Sequence, residues 1–157
     1  MKIEFWAIGK TAFSYLDEGM GIYEKRLGHY LSFASQIIPD VKNAGNMPPD
    51  QLKLKEGEAI LAKLKKEDYL VLLDERGKQL TSVEFSSFIE QKTNQALKKM
   101  VFLIGGAWGF SEEVYQRADY KLSLSKMTFS HQMVRLFFLE QLYRAMTILR
   151  GESYHNE

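Results

Sequence analysis

The sequence predicts an α/β fold built on a largely parallel sheet of about five strands, and three observations predict it. The apolar runs Tyr69–Leu73 and Met100–Ile104 are continuous rather than alternating, the pattern of strands buried on both faces. Runs of this kind alternate along the chain with segments of helical periodicity, which calls for crossover connections between parallel neighbours. The strand-like runs end at punctuating residues: Gly9, Pro39, Asp74 and the pair Gly105-Gly106. There is no internal repeat, low-complexity tract or linker, so residues 1–157 are expected to form one domain, long enough to bury a sizeable core.

The elements follow in order. Lys2–Ile8 is a β-rich opening strand, and residues 11–30 have a helical pattern despite Gly19 and Gly21. Phe33–Ile38 is a short strand stopped by Pro39, and residues 40–49 form a polar loop with two of the three prolines. Asp50 is expected to cap a helix to about Lys66, with Leu52, Ile60, Leu61 and Leu64 as its apolar set. After the strand Tyr69–Leu73, Asp74-Glu75-Arg76-Gly77-Lys78 is predicted as a turn. Thr81 or Ser82 then caps a helix with Glu84 or Phe85 in its first turn. Ser111 caps a short helix whose first turn carries Glu112 and Glu113. Lys121–Leu124 is a short strand, and a long apolar helix runs from about Ser130 to Arg150, ended by Gly151.

Composition narrows the function classes. Hydrophobic residues at 45% and charged residues at 26% describe an ordinary globular chain. The absence of cysteine excludes disulfides and thiolate metal sites and fits a reducing, cytoplasmic setting. The segment MKIEFWAIGK has a short apolar run broken by Glu4, so it reads as a strand and not a signal peptide. No apolar stretch reaches the roughly 18 residues of a membrane span, and no membrane partner is expected. Between Val114 and Arg150 six basic side chains face two acidic ones, a local +4 that leaves −3 for the rest of a chain of net charge +1. Either this is scatter, or the positive C-terminal third faces a phosphate backbone.

In open α/β sheets ligands bind beyond the carboxyl ends of strands, and three such ends stand out: Leu73-Asp74, Gly105-Gly106 and residues 125–129. The run Ile104-Gly105-Gly106-Ala107-Trp108-Gly109-Phe110-Ser111 carries a strand through three glycines into a capped helix, letting backbone approach a ligand closely. A tight turn without a ligand is the alternative. The spacing is not that of a dinucleotide fingerprint, and no Gly-Lys-Ser/Thr follows, so neither a dinucleotide nor a triphosphate bound in the usual way is expected. The polar loop Ser123–His131 offers backbone groups and hydroxyls suited to an adenine edge and ribose, with helix capping by Thr128 or Ser130 as the plainer role. The last helix is too apolar for one stripe, so it is deeply buried or packed on a second copy. His131 and Arg135, four apart, are expected to share a face near its start. Glu140 and Arg144 form an intrahelical pair or more. Trp108 adds a stacking surface to the glycine loop. The tail from Gly151 to Glu157 frays, or its Tyr154-His155 pair orders against an RNA base.

At these residues the chain resembles the ribosomal RNA large subunit methyltransferase H family, of the SPOUT class. Ile104-Gly105-Gly106, Leu124–His131, Tyr143-Arg144-Ala145 and Tyr154-His155 carry the likeness. Ala7-Ile8-Gly9-Lys10, Tyr23-Glu24-Lys25-Arg26-Leu27, Lys55-Glu56-Gly57-Glu58 and Leu73-Asp74 with Gly77-Lys78 support it over the whole length. Family members often carry proline before the motif histidine, where this chain has Ser130, and a basic residue after the last histidine, where it has Asn156-Glu157. The resemblance implies a SPOUT-type α/β domain with a C-terminal trefoil knot, a homodimer, and S-adenosyl-L-methionine as cofactor. The reaction it implies is methyl transfer to N3 of a pseudouridine in large-subunit RNA of assembled ribosomes. Carried over by position, the cofactor contacts would be Leu73, Gly105, Leu124, Ser125, Lys126, Met127, Thr128 and Phe129. His131, Arg135, Tyr154 and His155 would be catalytic and Arg144 would bind RNA. No metal and no DNA partner is expected. The rival readings are a transferase of the same fold acting on transfer RNA or a ribose hydroxyl, and a non-catalytic ribosome-binding module. A nucleotide-dependent oxidoreductase is the weakest option.

Overall fold

A computed structural model describes residues 1–156, and the last residue of the predicted tail, Glu157, lies outside them. Five strands, β1 (Lys2–Ile8), β2 (Ser32–Ile38), β3 (Tyr69–Gln79), β4 (Lys99–Ile104) and β5 (Tyr120–Ser123), form one sheet in the order β2-β1-β4-β3-β5. Every pairing is parallel. Five helices connect and follow them: α1 (Ser14–Leu27), α2 (Pro49–Lys63), α3 (Ser82–Asn94), α4 (Glu112–Arg117) and α5 (Met133–Leu149).

The continuous apolar runs are explained by cores on both sheet faces. Ile3, Phe5 and Ala7 of β1, Val71 and Leu73 of β3, and Met100, Phe102 and Ile104 of β4 point to one core, closed by α1, α3 and α5. Trp6, Ile8, Leu70, Leu72, Val101 and Leu103 alternate with them and point to the other, closed by Ile60 of α2 and Val114 of α4. On the first face the Phe138 ring stacks at 5.1 Å on Phe5 and lies 4.8 Å from Phe102. Truncating so enclosed a ring costs about 3–5 kcal/mol. This position also accounts for much of the excess apolar surface of α5: it is sandwiched between α1 and α3, burying Phe138, Leu139, Leu142 and Ala145 within one chain. Phe137 stays 38% exposed, its ring against Phe129 at 5.0 Å.

Local chemistry sets most boundaries. Thr81 and Glu84 form a capping box, the Thr81 hydroxyl accepting from the Glu84 amide at 3.1 Å and the Glu84 carboxylate accepting from the Thr81 amide at 2.8 Å. Ser111 caps α4. Gly151, at φ +66°, follows α5 in the left-handed conformation that a helix stop favours.

Four expectations are corrected. Asp50 does not cap α2; the helix begins at Pro49, whose fixed φ suits a first turn, and Asp50 pairs with Lys53 at 3.6 Å. α1 begins only at Ser14, because residues 9–12 are held by Gln132 and Arg135: the Gln132 side chain accepts from the Ala12 amide at 2.8 Å and donates to the Lys10 carbonyl. α5 begins at Met133, not Ser130; the Ser130 hydroxyl accepts from the Met133 amide at 3.1 Å. Residues 74–78 are not a terminating turn. β3 continues to Gln79, and Leu73 and Lys78 both register with Leu122, so residues 74–77 are extruded between two paired stretches. Gly77 permits the return: a Cβ there would lie 2.6 Å from the carbonyl carbon of Lys121.

Candidate functional site

β4, β3 and β5 are adjacent in the sheet, so the three strand ends singled out by sequence open onto one place. They enclose a cavity of about 810 Å³ walled by the glycine loop, the extruded residues of β3 and the 122–131 segment, with Lys53 and Leu54 of α2 at its side. Of the predicted cofactor contacts, Leu73, Gly105, Leu124, Ser125, Met127, Thr128 and Phe129 line it. Lys126 does not.

The glycine loop is a built turn. The Gly109 amide donates to the Gly106 carbonyl at 3.2 Å, and Gly109 adopts φ +83°. Ala107 and Trp108 form the tip, and Trp108 is 60% exposed. A Cβ on Gly105 would lie 2.9 Å from the Phe110 ring, so only glycine lets that ring close under the loop.

The opposite wall is held by its own hydroxyls. Ser123 donates to the Ser125 carbonyl at 2.9 Å, the Ser125 hydroxyl accepts from the Met127 amide at 2.9 Å, and Thr128 donates to Glu75 at 3.1 Å. Beside it the Tyr115 hydroxyl donates to Asp74 and accepts from the Arg76 guanidinium at 3.0 Å. Burial, and then the Asp74 carboxylate, push the Tyr115 phenol up. These groups knit the extruded segment to α4. Tyr115 and Arg76 carried no sequence signal, because their link spans elements far apart in the chain.

Behind the glycine loop lies Glu56, 7% exposed. A Cβ on Gly106 would lie 2.8 Å from its carboxylate, and one on Gly9 would lie 2.7 Å from that of Asp40. Burial, and then the charge of Asp40, raise the Glu56 pKa to about 7. The neighbouring Gly57 is the sequence signal for this close packing: a glycine inside a helix marks a close approach, here to Ser111, whose hydroxyl would lie 2.5 Å from an added Cβ.

The predicted catalytic residues are not brought together within one chain. His131 is exposed on the cavity wall, in the turn before α5. Arg135 shares no face with it, because the helix starts between them. It is fully buried, with Nη2 donating to the Ile8 carbonyl at 2.9 Å and Nη1 to the Gly9 carbonyl at 2.8 Å. A guanidinium engaged in this way is a clamp on the end of β1. Tyr154, His155 and Arg144 cluster near the other end of α5. Arg144 pairs with Glu140 at 2.6 Å, donates to His155 Nδ1 at 3.1 Å and lies over the Tyr154 ring. Tyr154 donates to Glu140 at 3.0 Å, leaving Tyr23 to donate to Tyr154 at 3.3 Å. Burial and these bonds push the Tyr154 phenol up. Tyr154 and His155 are therefore docked and not frayed, and Arg144 is occupied in docking them. The positive C-terminal third is likewise largely internally engaged: Arg135 is buried, and Arg117 binds Asp119 and the carbonyls of Lys65 and Asp68.

Among the described residues no group of three or more His, Asp or Glu is poised for a metal, and no helix is long and apolar enough to cross a membrane.

Residues 1–155 match the family model described as "Predicted SPOUT methyltransferase". The chain is 55% identical over 157 residues to the ribosomal RNA large subunit methyltransferase H of Parabacteroides distasonis, covering 100% of both chains. It is 56% identical over 156 residues to that of Christiangramia forsetii, covering 99% of both. A solved probable methylase family protein from Haemophilus influenzae Rd KW20 matches in fold with a TM-score of 0.52 at 11% identity, over 99% of this chain and 70% of that one.

Proposed function

Because the chain belongs to the SPOUT methyltransferase family, we propose that it transfers the methyl group of S-adenosylmethionine to N3 of a pseudouridine in large-subunit ribosomal RNA. The observation that carries this reading is the convergence of three strand ends on one cavity, walled by the glycine loop and the 122–131 segment. The names of the relatives support the RNA class. The work would fall to residues 1–157 as one domain in the cytoplasm, on assembled ribosomes.

The cavity fits the cofactor. Its volume lies in the range of small-molecule sites, its interior has apolar walls from Leu73, Ile104, Leu122 and Val134, and its two loops offer backbone groups and hydroxyls. Gly105, Leu124, Ser125, Met127, Thr128 and Phe129 would hold it. When bound, S-adenosylmethionine supplies an electrophilic sulfonium methyl, so the protein's contribution is alignment and proton handling. His131, exposed on the cavity wall, is the group within this chain suited to accept the N3 proton of the base.

Tyr154 and His155 dock near Glu140, which lies about 10 Å along α5 from its first turn. We infer a homodimer in which the tail of one subunit serves the cavity of the other. The exposed Phe137 against Phe129, on the rim of that cavity, supports a partner surface there. The trefoil knot typical of the class is the inferred path of the chain from β5 through the cavity wall into α5.

Labelled methyl transfer to ribosomes, free large-subunit RNA and transfer RNA, each from cells lacking the protein, tests the reading. Label at N3 of a pseudouridine on ribosomes is expected. Label on transfer RNA alone would overturn the substrate. No label anywhere would favour the non-catalytic module.

A further inference from the structure

We propose that Trp108 is a substrate-recognition residue, a platform on which an RNA base beside the methylated pseudouridine stacks. The inference rests on the RNA-methyltransferase reading and adds to it a contact outside the predicted catalytic and cofactor sets.

Four observations carry it. Trp108 is 60% exposed, whereas the other tryptophan, Trp6, is 1% exposed in the core. So much open indole is unusual for a residue this large and apolar. Its backbone is held: Trp108 sits at the tip of the Gly106–Gly109 turn, closed by the 3.2 Å hydrogen bond and the positive φ of Gly109. A turn whose backbone is already fixed loses little freedom when its side chain meets a ligand. It also sits on the wall of the proposed active cavity, with Met127, 75% exposed, on the facing loop. A flat base entering the cavity therefore meets an exposed apolar side chain on each of its two loops.

The fourth observation selects the kind of contact. Five carboxylates line the cavity against two cations, Lys53 and Arg76. A phosphate backbone gains nothing from such a mouth. An uncharged base face does not meet that repulsion, and stacking on an indole works with any base. RNA recognition at this rim is thus carried by an aromatic surface, and phosphate contacts lie elsewhere on the protein or its partner copy.

The test uses Trp108→Ala and Trp108→Phe in the full-length protein, with ribosomes from cells lacking it. Co-sedimentation and steady-state transfer give the ribosome Kd and KM. Titration calorimetry with S-adenosylhomocysteine reports the cofactor pocket, and sedimentation reports the oligomeric state. The alanine variant is expected to weaken ribosome binding about 10-fold, the order expected for one stacked base. The phenylalanine variant should stay within about threefold of wild type, because a ring remains. The slope of log Kd against log salt should not change, since no phosphate contact is lost. Unaltered ribosome binding by the alanine variant would overturn the proposal. So would a matching loss of S-adenosylhomocysteine affinity, which would make Trp108 a cofactor contact, or an altered oligomeric state, which would make it a subunit contact. If the wild-type protein itself methylates no ribosomal RNA, the underlying reading fails and this inference falls with it.

Discussion

Arg135 and Gly9 are separated by 126 residues, yet the Arg135 guanidinium donates to the Gly9 carbonyl at 2.8 Å and thereby ties α5 to the carboxyl end of β1. Burial lowers the pKa of this arginine, and Asp40 opposes the shift. Replacing Arg135 with Met would leave the Ile8 and Gly9 carbonyls without these donors in a dry interior. Urea denaturation should show a loss of about 2–4 kcal/mol. Arg135→Lys, a point charge that cannot span both carbonyls, should fall between. An Arg135→Met protein with native stability and no transfer activity would return this residue to the chemistry.

Glu56 makes stability depend on pH. Burial lifts its folded pKa to about 7, well above the usual carboxylate range, so the native state favours the protonated acid. Its favourable contribution is complete below the unfolded pKa and is lost as pH rises through about 7. Glu56→Gln, which keeps the shape without the charge, should match wild type near pH 4 and exceed it near pH 8 by on the order of 2 kcal/mol. Equal urea midpoints for the two proteins at pH 8 would refute this.

Gly77→Ala should be among the more damaging single-methyl additions. The new carbon would lie 2.6 Å from the Lys121 carbonyl carbon and 2.7 Å from the Leu122 amide, both backbone. Either β3 or β5 must shift. Thermal unfolding should register a loss of roughly 2–3 kcal/mol, whereas Gly21→Ala, with nothing within 4 Å, should be neutral or stabilising.

His131→Ala should lower the rate of methyl transfer by about 10²–10⁴-fold while leaving S-adenosylhomocysteine affinity within a few fold. The doubly substituted Tyr154→Phe, His155→Ala protein loses the hydrogen bonds to Glu140, Tyr23 and Arg144. Its transfer to ribosomes should fall strongly with little change in fold. A normal rate from that double variant would sink the catalytic reading of the tail.

Phe137→Asp puts a charge on the 38%-exposed face of α5. Analytical ultracentrifugation should show dimer converted to monomer, with loss of transfer and retention of helical circular dichroism. A persistent dimer would move the interface elsewhere.

The fold was readable where the decisive chemistry is local. Tyr69–Leu73 and Met100–Ile104 declare their two-sided burial by being apolar without interruption, and Thr81 and Ser111 cap the helices that follow them. The cavity was readable in outline because strand ends mark themselves with Asp74, Gly105 and Ser125. What escaped depends on partners distant in sequence. Helical spacing put His131 and Arg135 on one face, and only the pull of the Ile8 and Gly9 carbonyls shows that Arg135 turns inward. The continuation of β3 beyond Asp74 could not be read, since it depends on Gly77 meeting the backbone of Lys121. The docked tail was open for the same reason: Tyr154 is held by Tyr23 and Glu140, one of them on α1.

The extruded residues 74–77 are flanked by ladder on both sides, at Leu73 and again at Lys78 and Gln79. A loop anchored so close at both ends has few conformations to lose. Its ordering entropy is therefore spent during folding, when β3 and β5 zip together, and not when a ligand arrives. Amide exchange at Leu73 and Gln79 should accordingly be slowed to the rate of sheet opening, and a molecule entering the cavity meets a wall that is already ordered.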